Sequence, residues 1–312
     1  MKKINLILTA AAACLLMTGC SDAKAKLKDS SSAVATVGKT TITKGDIYSE
    51  MFAKAGGDEA ISDATKAICD KEVEVTDEMK EEAKSNVSYY TSMYGTQFTS
   101  YLEANNMTED DYADEILVPS LQADELPKKY VEQNWDSLIK KYSPIQATVL
   151  TFTSEDDANA ALSALKDGSK KPADAAKDNN SDSSGEPEII TINTTSYDST
   201  LLSVIRSASP DDGWAMVPSS TEGTYYVAKV NSNTPEDYKD DVITTLSGYS
   251  AVQSDATTYF FRKYNFHVYD IDLYNTLKTD HADALVQAIK ETPAPEETAS
   301  PAASASASAA AN

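Results

Sequence analysis

Five side chains in this sequence carry a thiol or an imidazole, the groups most often used for covalent catalysis and metal binding: Cys14, Cys20, Cys69, His267 and His281. His267 has no second histidine or cysteine at the spacing of a metal-ligand pair, so we interpret it as a half-exposed strand residue. Cys69, in the triplet Ala-Ile-Cys, is predicted to be a small buried apolar residue. The sequence therefore predicts no catalytic residue, no metal site and no cofactor.

The segment that leads to Cys20 contains two lysines, an apolar run over Ile4–Met17 and a small residue, Gly19. This order is typical of a secretory signal, and the apolar run is too short to span a membrane stably. The string L-L-M-T-G-C resembles the lipobox of bacterial lipoproteins, apart from Met17 at the usual branched position. The resemblance implies cleavage between Gly19 and Cys20 and a diacylglyceryl group on the Cys20 sulfur, which anchors the exported chain stably. An ordinary signal peptide with a chance cysteine is the alternative.

The chain is strongly acidic, with a formal net charge of −22 over 312 residues. Such a surface argues against nucleic acid as a partner and against electrostatic adsorption to anionic lipid. It fits a soluble, self-repelling surface or one that meets cationic clients. Residues 291–312 are rich in Pro, Ala, Ser and Glu and have no large apolar side chain, so we expect a disordered tail. About 255 residues remain for one large domain or two modest ones.

The first folded segment opens with the β-prone run Val34–Val37, a turn at Gly38 and a capping box from Thr43 to Asp46. A helix follows, which we expect to end at Gly56–Gly57. The string V-A-T-V-G-K-T-T-I-T-K-G-D resembles the opening of the mature PrsA-type foldases, lipoproteins of Gram-positive bacteria that are related to the periplasmic chaperone SurA. The resemblance implies that this helix belongs to a chaperone domain.

Further helices are predicted over Ile61–Ile68, from Thr76 to Tyr94 with a break at Gly95, over Gln97–Glu103 and over Thr108–Leu117. Those at Thr76 and Thr108 begin at an N-cap threonine followed by acidic residues. Pro119 and Pro127 are expected to bend or divide the next stretch, before a linking helix over Lys128–Tyr142. The string Y-G-T-Q-F-T-S-Y-L-E-A-N-N-M-T-E-D-D-Y also resembles the PrsA and SurA chaperone helices. Six aromatic residues of this region either pack the helices together or line a groove for unfolded chains: Tyr89, Tyr90, Tyr94, Phe98, Tyr101 and Tyr112.

The middle of the chain changes to a β period at Ile145–Phe152. This run is followed by a helix capped by Ser154, a polar loop over Lys177–Pro187, a β-prone run over Ile189–Thr195, a short helix over Leu201–Arg206 and a strand over Thr224–Val230. This order resembles a parvulin-type peptidyl-prolyl isomerase domain, whose first and last motifs would fall on Ala147–Phe152 and Thr224–Val230. Val149 and Tyr226 then occupy the positions of the two parvulin histidines, so the resemblance implies a degenerate, non-catalytic domain.

The last segment begins at Thr234-Pro235, a strong helix start, and we expect one helix to run to Phe261. Phe260–Leu277 resembles the region of PrsA-type proteins that returns to complete the amino-terminal domain. Its alternating residues predict a strand that pairs with Val34–Val37. A final amphipathic helix is predicted over Ala282–Ile289.

These observations predict an α+β fold: a mainly helical SurA/PrsA-like chaperone domain built from both ends of the chain, with an inserted parvulin-like α/β domain. The expected segments are a signal peptide at 1–19, a tether at 20–33, the chaperone domain at 34–142 and 234–290, the inserted domain at 143–233 and a tail at 291–312.

The function implied by the resemblance is a membrane-anchored, extracytoplasmic foldase or chaperone of Gram-positive type, whose partners are unfolded or newly secreted polypeptides and, through Cys20, the membrane. Two alternatives remain. In the first alternative, the inserted domain is an active isomerase with a non-standard site. Isomerisation needs only a pocket that lowers the barrier to rotation about the X-Pro bond, which is about 18–20 kcal/mol. In the second alternative, the chain is a solute-binding or surface-interaction lipoprotein, although solute-binding proteins usually carry repeated β-α units that this sequence lacks.

Overall fold

The computed structural model describes Ala23 and residues 25–287. The predicted signal peptide, the predicted cleavage site at Gly19 and Cys20, and the predicted tail at 291–312 lie outside the described residues.

The described chain begins with a hairpin and six helices, and most of their ends lie at the residues that the sequence indicates. The elements are β1 (Ala33–Val37), β2 (Thr40–Thr43), α1 (Lys44–Glu72), α2 (Asp77–Tyr94), α3 (Thr96–Ala104), α4 (Glu109–Tyr112) with a π-helical turn at Ala113–Leu117, α5 (Val118–Gln133) and α6 (Trp135–Tyr142). Thr43 forms the expected capping box with Asp46, and Thr108, predicted as an N-cap, forms a second capping box with Asp111.

Helix α1 does not end at Gly56–Gly57, contrary to the prediction, and continues to Glu72. Glycine within a helix costs about 1 kcal/mol relative to alanine. Gly57 is buried against α12, where an added Cβ would lie 2.9 Å from Cγ2 of Thr276. Glycine at position 57 is therefore explained by the close contact with α12, which leaves no room for a larger side chain.

The prolines of the next stretch do not divide it. Pro119 lies in the first turn of α5, directly after the π-helical turn, and Pro127 lies inside the same helix. The predicted single helix over Lys128–Tyr142 is instead interrupted at Asn134, between α5 and α6.

A four-stranded antiparallel sheet follows, in the order β4-β3-β6-β5. Its elements are β3 (Ile145–Phe152), α7 (Glu155–Lys166), α8 (Pro172–Asp178), β4 (Pro187–Ile190), α9 (Ser199–Ser207), a short 3₁₀ turn at Pro210–Asp212, β5 (Ala215–Pro218) and β6 (Tyr225–Ser232). Helix α9 covers one face and helices α7 and α8 cover the other. Helix α8 and strand β5 were not predicted from the sequence. Strand β4 is shorter than the predicted run because the Thr191 N–H donates to Thr194 Oγ1 at 2.8 Å.

The chain then returns to the first helices through a 3₁₀ turn at Pro235–Tyr238, α10 (Lys239–Ser247), α11 (Ser250–Lys263) and α12 (Ile271–Asp280). The expected single helix to Phe261 is broken at Tyr249, whose backbone is extended and whose hydroxyl lies 2.8 Å from Thr191 Oγ1. Helices α10 and α11 pack against α5, and one buried core unites Ile68 and Cys69 of α1 with Phe260 and Phe261 of α11.

The strand predicted within Phe260–Leu277 is wrong, because that stretch contains the end of α11, a short irregular connection and α12. Val34–Val37 pairs with β2 rather than with the returning segment, since the two-residue loop at Gly38, with φ +60°, closes a local hairpin. His267 lies half-buried in the irregular connection, not in a strand. The described part of the last predicted helix, 282–287, forms turns.

Candidate functional site

The six aromatic residues singled out in the sequence come together on three short helices. Tyr89, Tyr90 and Tyr94 lie on α2, Phe98 and Tyr101 on α3, and Tyr112 on α4. We call this group the tyrosine patch. The breaks that fold these helices against each other are local: Gly95, with φ +50°, separates α2 from α3, and Thr108 caps α4.

The rings of the tyrosine patch form one connected cluster. Tyr112 packs edge-on against Phe98 at a centroid distance of 5.1 Å, against Tyr101 at 6.0 Å and against Tyr90 at 6.4 Å. Tyr90 in turn contacts Tyr89 at 5.9 Å. Such edge-to-face pairs fix the ring orientations, each contributing about 0.5–1.5 kcal/mol beyond area burial. The patch is therefore a rigid surface and not a set of independent side chains.

Burial divides the patch into an inner and an outer part. Phe98 is only 8% exposed and belongs to a core with Val87 and Leu102. Tyr89, Tyr94 and Tyr101 are 53%, 52% and 49% exposed. The packing interpretation made from the sequence therefore holds for the inner rings. The outer rings are presented to solvent, and the groove for unfolded chains stays a prediction.

Burial and hydrogen bonding shift the pKa values of two side chains on α4, Tyr112 and Asp111. Burial, followed by the neighbouring tyrosines, raises the pKa of Tyr112. The side-chain and backbone hydrogen bonds from Thr108 lower the pKa of Asp111. Glu109 Oε1 accepts a hydrogen bond of 2.9 Å from the Thr91 hydroxyl, which holds this carboxylate against α2.

Two adjoining cavities, each of about 330 Å³, lie along α1 and α5. They share Thr65 and Ala123, and the first extends to Phe260 and Phe261 of α11. Pro127, which has no N–H to donate to the Ala123 carbonyl, also lines the first cavity. No sequence motif pointed to this groove, because it forms only where the returning helices meet the first ones.

The two positions that the parvulin resemblance aligns with histidine lie on neighbouring strands of the sheet. Val149 is on β3 and Tyr226 on β6, and they are 2% and 7% exposed. Both belong to a packed core that includes Leu201 and Ile205 of α9. The ring of Tyr197 lies edge-on to Tyr226 at 5.9 Å. An aliphatic and a phenolic side chain in a packed core supply no imidazole for proton transfer.

A carboxyl group that the sequence did not indicate lies beside this core. The hydroxyl of Tyr197 donates a hydrogen bond to Glu188 on β4. Burial raises the pKa of Glu188, and the bond from Tyr197 opposes that shift. Burial and the Glu188 carboxylate both raise the pKa of Tyr197. The two polar groups satisfy each other, so they complete the packing of this face.

The described residues hold no cluster of three histidine, cysteine, aspartate or glutamate side chains close enough to bind a metal ion. His281 Nε2 lies 2.7 Å from Asp58 Oδ1, and the His267 ring packs on Tyr269 at 4.7 Å. Cys69 is fully buried, as predicted, and burial is the main cause that raises its pKa to about 11. Of the helices in the described ranges, none has the length and apolar character needed to cross a membrane.

No protein-family model matches the chain, and no curated protein matches it. Among solved structures, foldase protein PrsA from Streptococcus pneumoniae is 17% identical with a TM-score of 0.38, and the match covers 79% of this chain and 98% of that chain. PrsA from Bacillus subtilis is 18% identical with a TM-score of 0.34, covering 80% and 99%. Peptidylprolyl isomerase (PrsA) from Bacillus cereus is 16% identical with a TM-score of 0.40, covering 80% and 98%. The chain is similar to PrsA proteins.

PrsA is also the family that the sequence motifs resemble, so the predicted resemblance is confirmed. The α+β class is confirmed as well, since the described residues are mostly helical with two small sheets. The division into a chaperone domain and an inserted domain stays a prediction, as do the roles of Cys20, Val149 and Tyr226.

Proposed function

We propose that this chain is a membrane-anchored, extracytoplasmic foldase that binds unfolded segments of secreted proteins on the tyrosine patch. The observation that carries the proposal is the exposure of Tyr89, Tyr94 and Tyr101 on top of a rigid aromatic base. Large aromatic surfaces left in solvent favour contact with apolar segments, which folded clients hide and unfolded clients expose.

The chemistry of the patch is suited to binding an unfolded client segment and then releasing it. Rings fixed by their neighbours lose little side-chain freedom when a client binds, so binding costs little ordering entropy. Each aromatic contact contributes about 0.5–1.5 kcal/mol, and three outer rings therefore support weak, reversible binding of one segment. A client that folds withdraws its apolar side chains and leaves the patch.

The anchor and the domain division belong to the same proposal. Cys20 carries the lipid, residues 1–19 are its signal peptide, and residues 20–33 connect the lipid to the folded part. Residues 34–142 and 234–290 form the chaperone domain, which is supported by the packing of α10 and α11 on α5. Residues 143–233 form the inserted domain, whose sheet has both faces covered by its own helices.

The inserted domain contributes binding surface or spacing but no isomerisation in this proposal. The support is the burial of Val149 and Tyr226 under α9, together with the absence of imidazole at both positions. Replacing both residues by histidine would place two polar rings in a packed apolar core, which costs stability unless they are hydrogen-bonded.

Two assays on one preparation test the proposal. Reduced, unfolded lysozyme is diluted with and without the full chain, and light scattering measures aggregation. We expect wild type and the control Tyr269→Ser, which changes a residue that is 66% exposed elsewhere, to suppress aggregation equally. The double variant Tyr89→Ser with Tyr101→Ser should lose most of the suppression. Equal suppression by all three proteins would contradict the assignment of the patch.

Proline-limited refolding of a second protein is measured in parallel. We expect no acceleration by catalytic amounts of the chain. Acceleration that disappears in Tyr226→Phe would show instead that the sheet carries an isomerase site.

A further inference from the structure

The tyrosine patch lies in a stretch of the chain that carries charge of one sign. Between residues 85 and 127 the sequence has no lysine, arginine or histidine. The same stretch has eight carboxylates, at Glu103, Glu109, Asp110, Asp111, Asp114, Glu115, Asp124 and Glu125. It includes the second half of α2 and all of α3 and α4, which build the patch, and it continues into α5.

Two of these carboxylates are held in place on the helices that carry the rings. Glu109 accepts from Thr91, the residue that follows Tyr90 on α2. Asp111, which precedes Tyr112, accepts from the N–H and the hydroxyl of Thr108 at 2.8 Å and 2.7 Å. The hydrogen bonds from Thr108 lower the pKa of Asp111 and so favour its ionised form. The helices of the patch thus also carry carboxylates that hydrogen bonds hold in place.

The aromatic rings, like the carboxylates, favour a cation in contact with the patch. The face of an aromatic ring carries negative potential and attracts arginine and lysine. The same molecule shows the geometry on another surface, where Lys263 Nζ lies 5.9 Å from the Tyr259 ring centre and 5.6 Å from that of Phe260. Rings and carboxylates of the patch therefore act in the same direction: both favour a cation and disfavour an anion.

We propose that the tyrosine patch selects unfolded segments that combine arginine or lysine with aromatic or other apolar residues, and that it rejects acidic segments of equal hydrophobicity. This inference rests on the proposed function, which it makes specific by naming the charge of the bound segment. Complementary charge steers the encounter and suppresses wrong partners, so the preference appears in the association rate and weakens with salt.

Three fluorescent peptides of equal length and equal phenylalanine content test the inference. Their remaining positions are arginine in the first, glutamine in the second and glutamate in the third, and anisotropy with the full chain gives the dissociation constants. At low salt the arginine peptide should bind about tenfold more tightly than the glutamate peptide, with glutamine between them. The difference should shrink as the ionic strength rises above about 0.15 M, where the screening length is near 8 Å. Equal binding of the three peptides overturns the inference.

Charge variants separate the patch from the overall acidity of the chain. Glu109→Gln with Asp110→Asn removes two charges beside the patch, and the new amide side chain at position 109 retains an oxygen that accepts from Thr91. Glu59→Gln with Glu222→Gln removes the same charge at two exposed positions elsewhere. The patch variant should lose most of the preference for arginine and the control variant should keep it. Equal losses would show that net charge, not the patch, sets the preference, and would overturn the inference.

The same peptides distinguish the failure of this inference from the failure of the proposed function. If all three bind equally and Tyr89→Ser with Tyr101→Ser abolishes binding, the client site stands and the charge preference is wrong. If no peptide binds, or if binding is unchanged in that double variant, both proposals are wrong. Circular dichroism of each variant shows that the helices are intact.

Discussion

The hydroxyl of Tyr264 donates a hydrogen bond of 2.6 Å to Glu72, a residue 192 positions earlier in the chain. Glu72 is the last residue of α1, and Tyr264 directly follows α11. Lys263 and Gln133 also contact this carboxylate, so three parts of the chain meet at one charged group. The contact joins the returning segment to the first helices.

Removing one donor from this contact should destabilise the helical part. We expect Tyr264→Phe to lower the free energy of unfolding by about 1–2 kcal/mol, because a hydrogen bond to a charged acceptor is lost while the ring is kept. Tyr269→Phe, at an exposed position, should change it by less than about 0.5 kcal/mol. Urea unfolding followed by circular dichroism measures both. A Tyr264→Phe protein as stable as wild type would show that the hydroxyl contributes nothing.

The Glu72 carboxylate should make the free energy of unfolding depend on pH. Burial alone would raise the pKa of Glu72, but the hydrogen bonds from Lys263, Tyr264 and Gln133 outweigh it and lower the pKa in the folded protein. A lowered folded pKa gives stability that is fully present above the unfolded value of about 4.3 and is lost as the pH falls through the folded value.

We therefore expect wild type to lose more stability than Glu72→Gln as the pH is lowered below about 4.3. The other acidic groups titrate in both proteins, so the difference between the two curves reports Glu72. If the free energy of unfolding fell equally with pH in wild type and Glu72→Gln, the lowered pKa of Glu72 would be contradicted.

The Cys69 thiol should be unreactive in the folded protein. It is fully buried, and its pKa of about 11 leaves almost no thiolate at neutral or mildly alkaline pH. At about pH 8.5 iodoacetamide should label Cys69 only after unfolding in guanidinium, as peptide mass spectrometry can show. Rapid labelling of Cys69 in the native protein would contradict the burial of this residue.

Cys20 should be the site of lipid attachment. Cys20→Ser should leave an uncut precursor or a protein released from the membrane, because serine has no thiol to receive the lipid. Cys69→Ser serves as the control and should keep the lipid. Metabolic labelling with a tagged fatty acid distinguishes these results, and equal labelling of wild type and Cys20→Ser would refute the assignment.

Features that depend on neighbouring residues were predictable from the sequence. The capping box at Thr43, the helix start at Thr108 and the break at Gly95 were predicted because each depends on hydrogen bonds or backbone angles within a few residues. These local signals also define the helices that carry the tyrosine patch. They indicated which aromatic residues belong together.

Features that depend on distant contacts were not predictable in the same way. Gly56–Gly57 remains helical because α12 packs closely on Gly57, and nothing near the glycines in sequence indicates that contact. The division of the patch into buried Phe98 and exposed Tyr101 follows from how α2, α3 and α4 pack together. Glu188 was missed because a single carboxylate has no motif until Tyr197 is placed beside it.

Site-specific photo-crosslinking tests the central claim most directly. The full chain is prepared with benzoylphenylalanine in place of Tyr101 or, as the control, in place of the exposed Tyr269, and each is irradiated with unfolded or folded lysozyme. The client-binding account predicts a strong crosslink from position 101 to unfolded lysozyme, little to folded lysozyme, and little from position 269 to either. Crosslinks of equal yield from both positions, or none from position 101, would contradict the claim that the tyrosine patch holds unfolded chains.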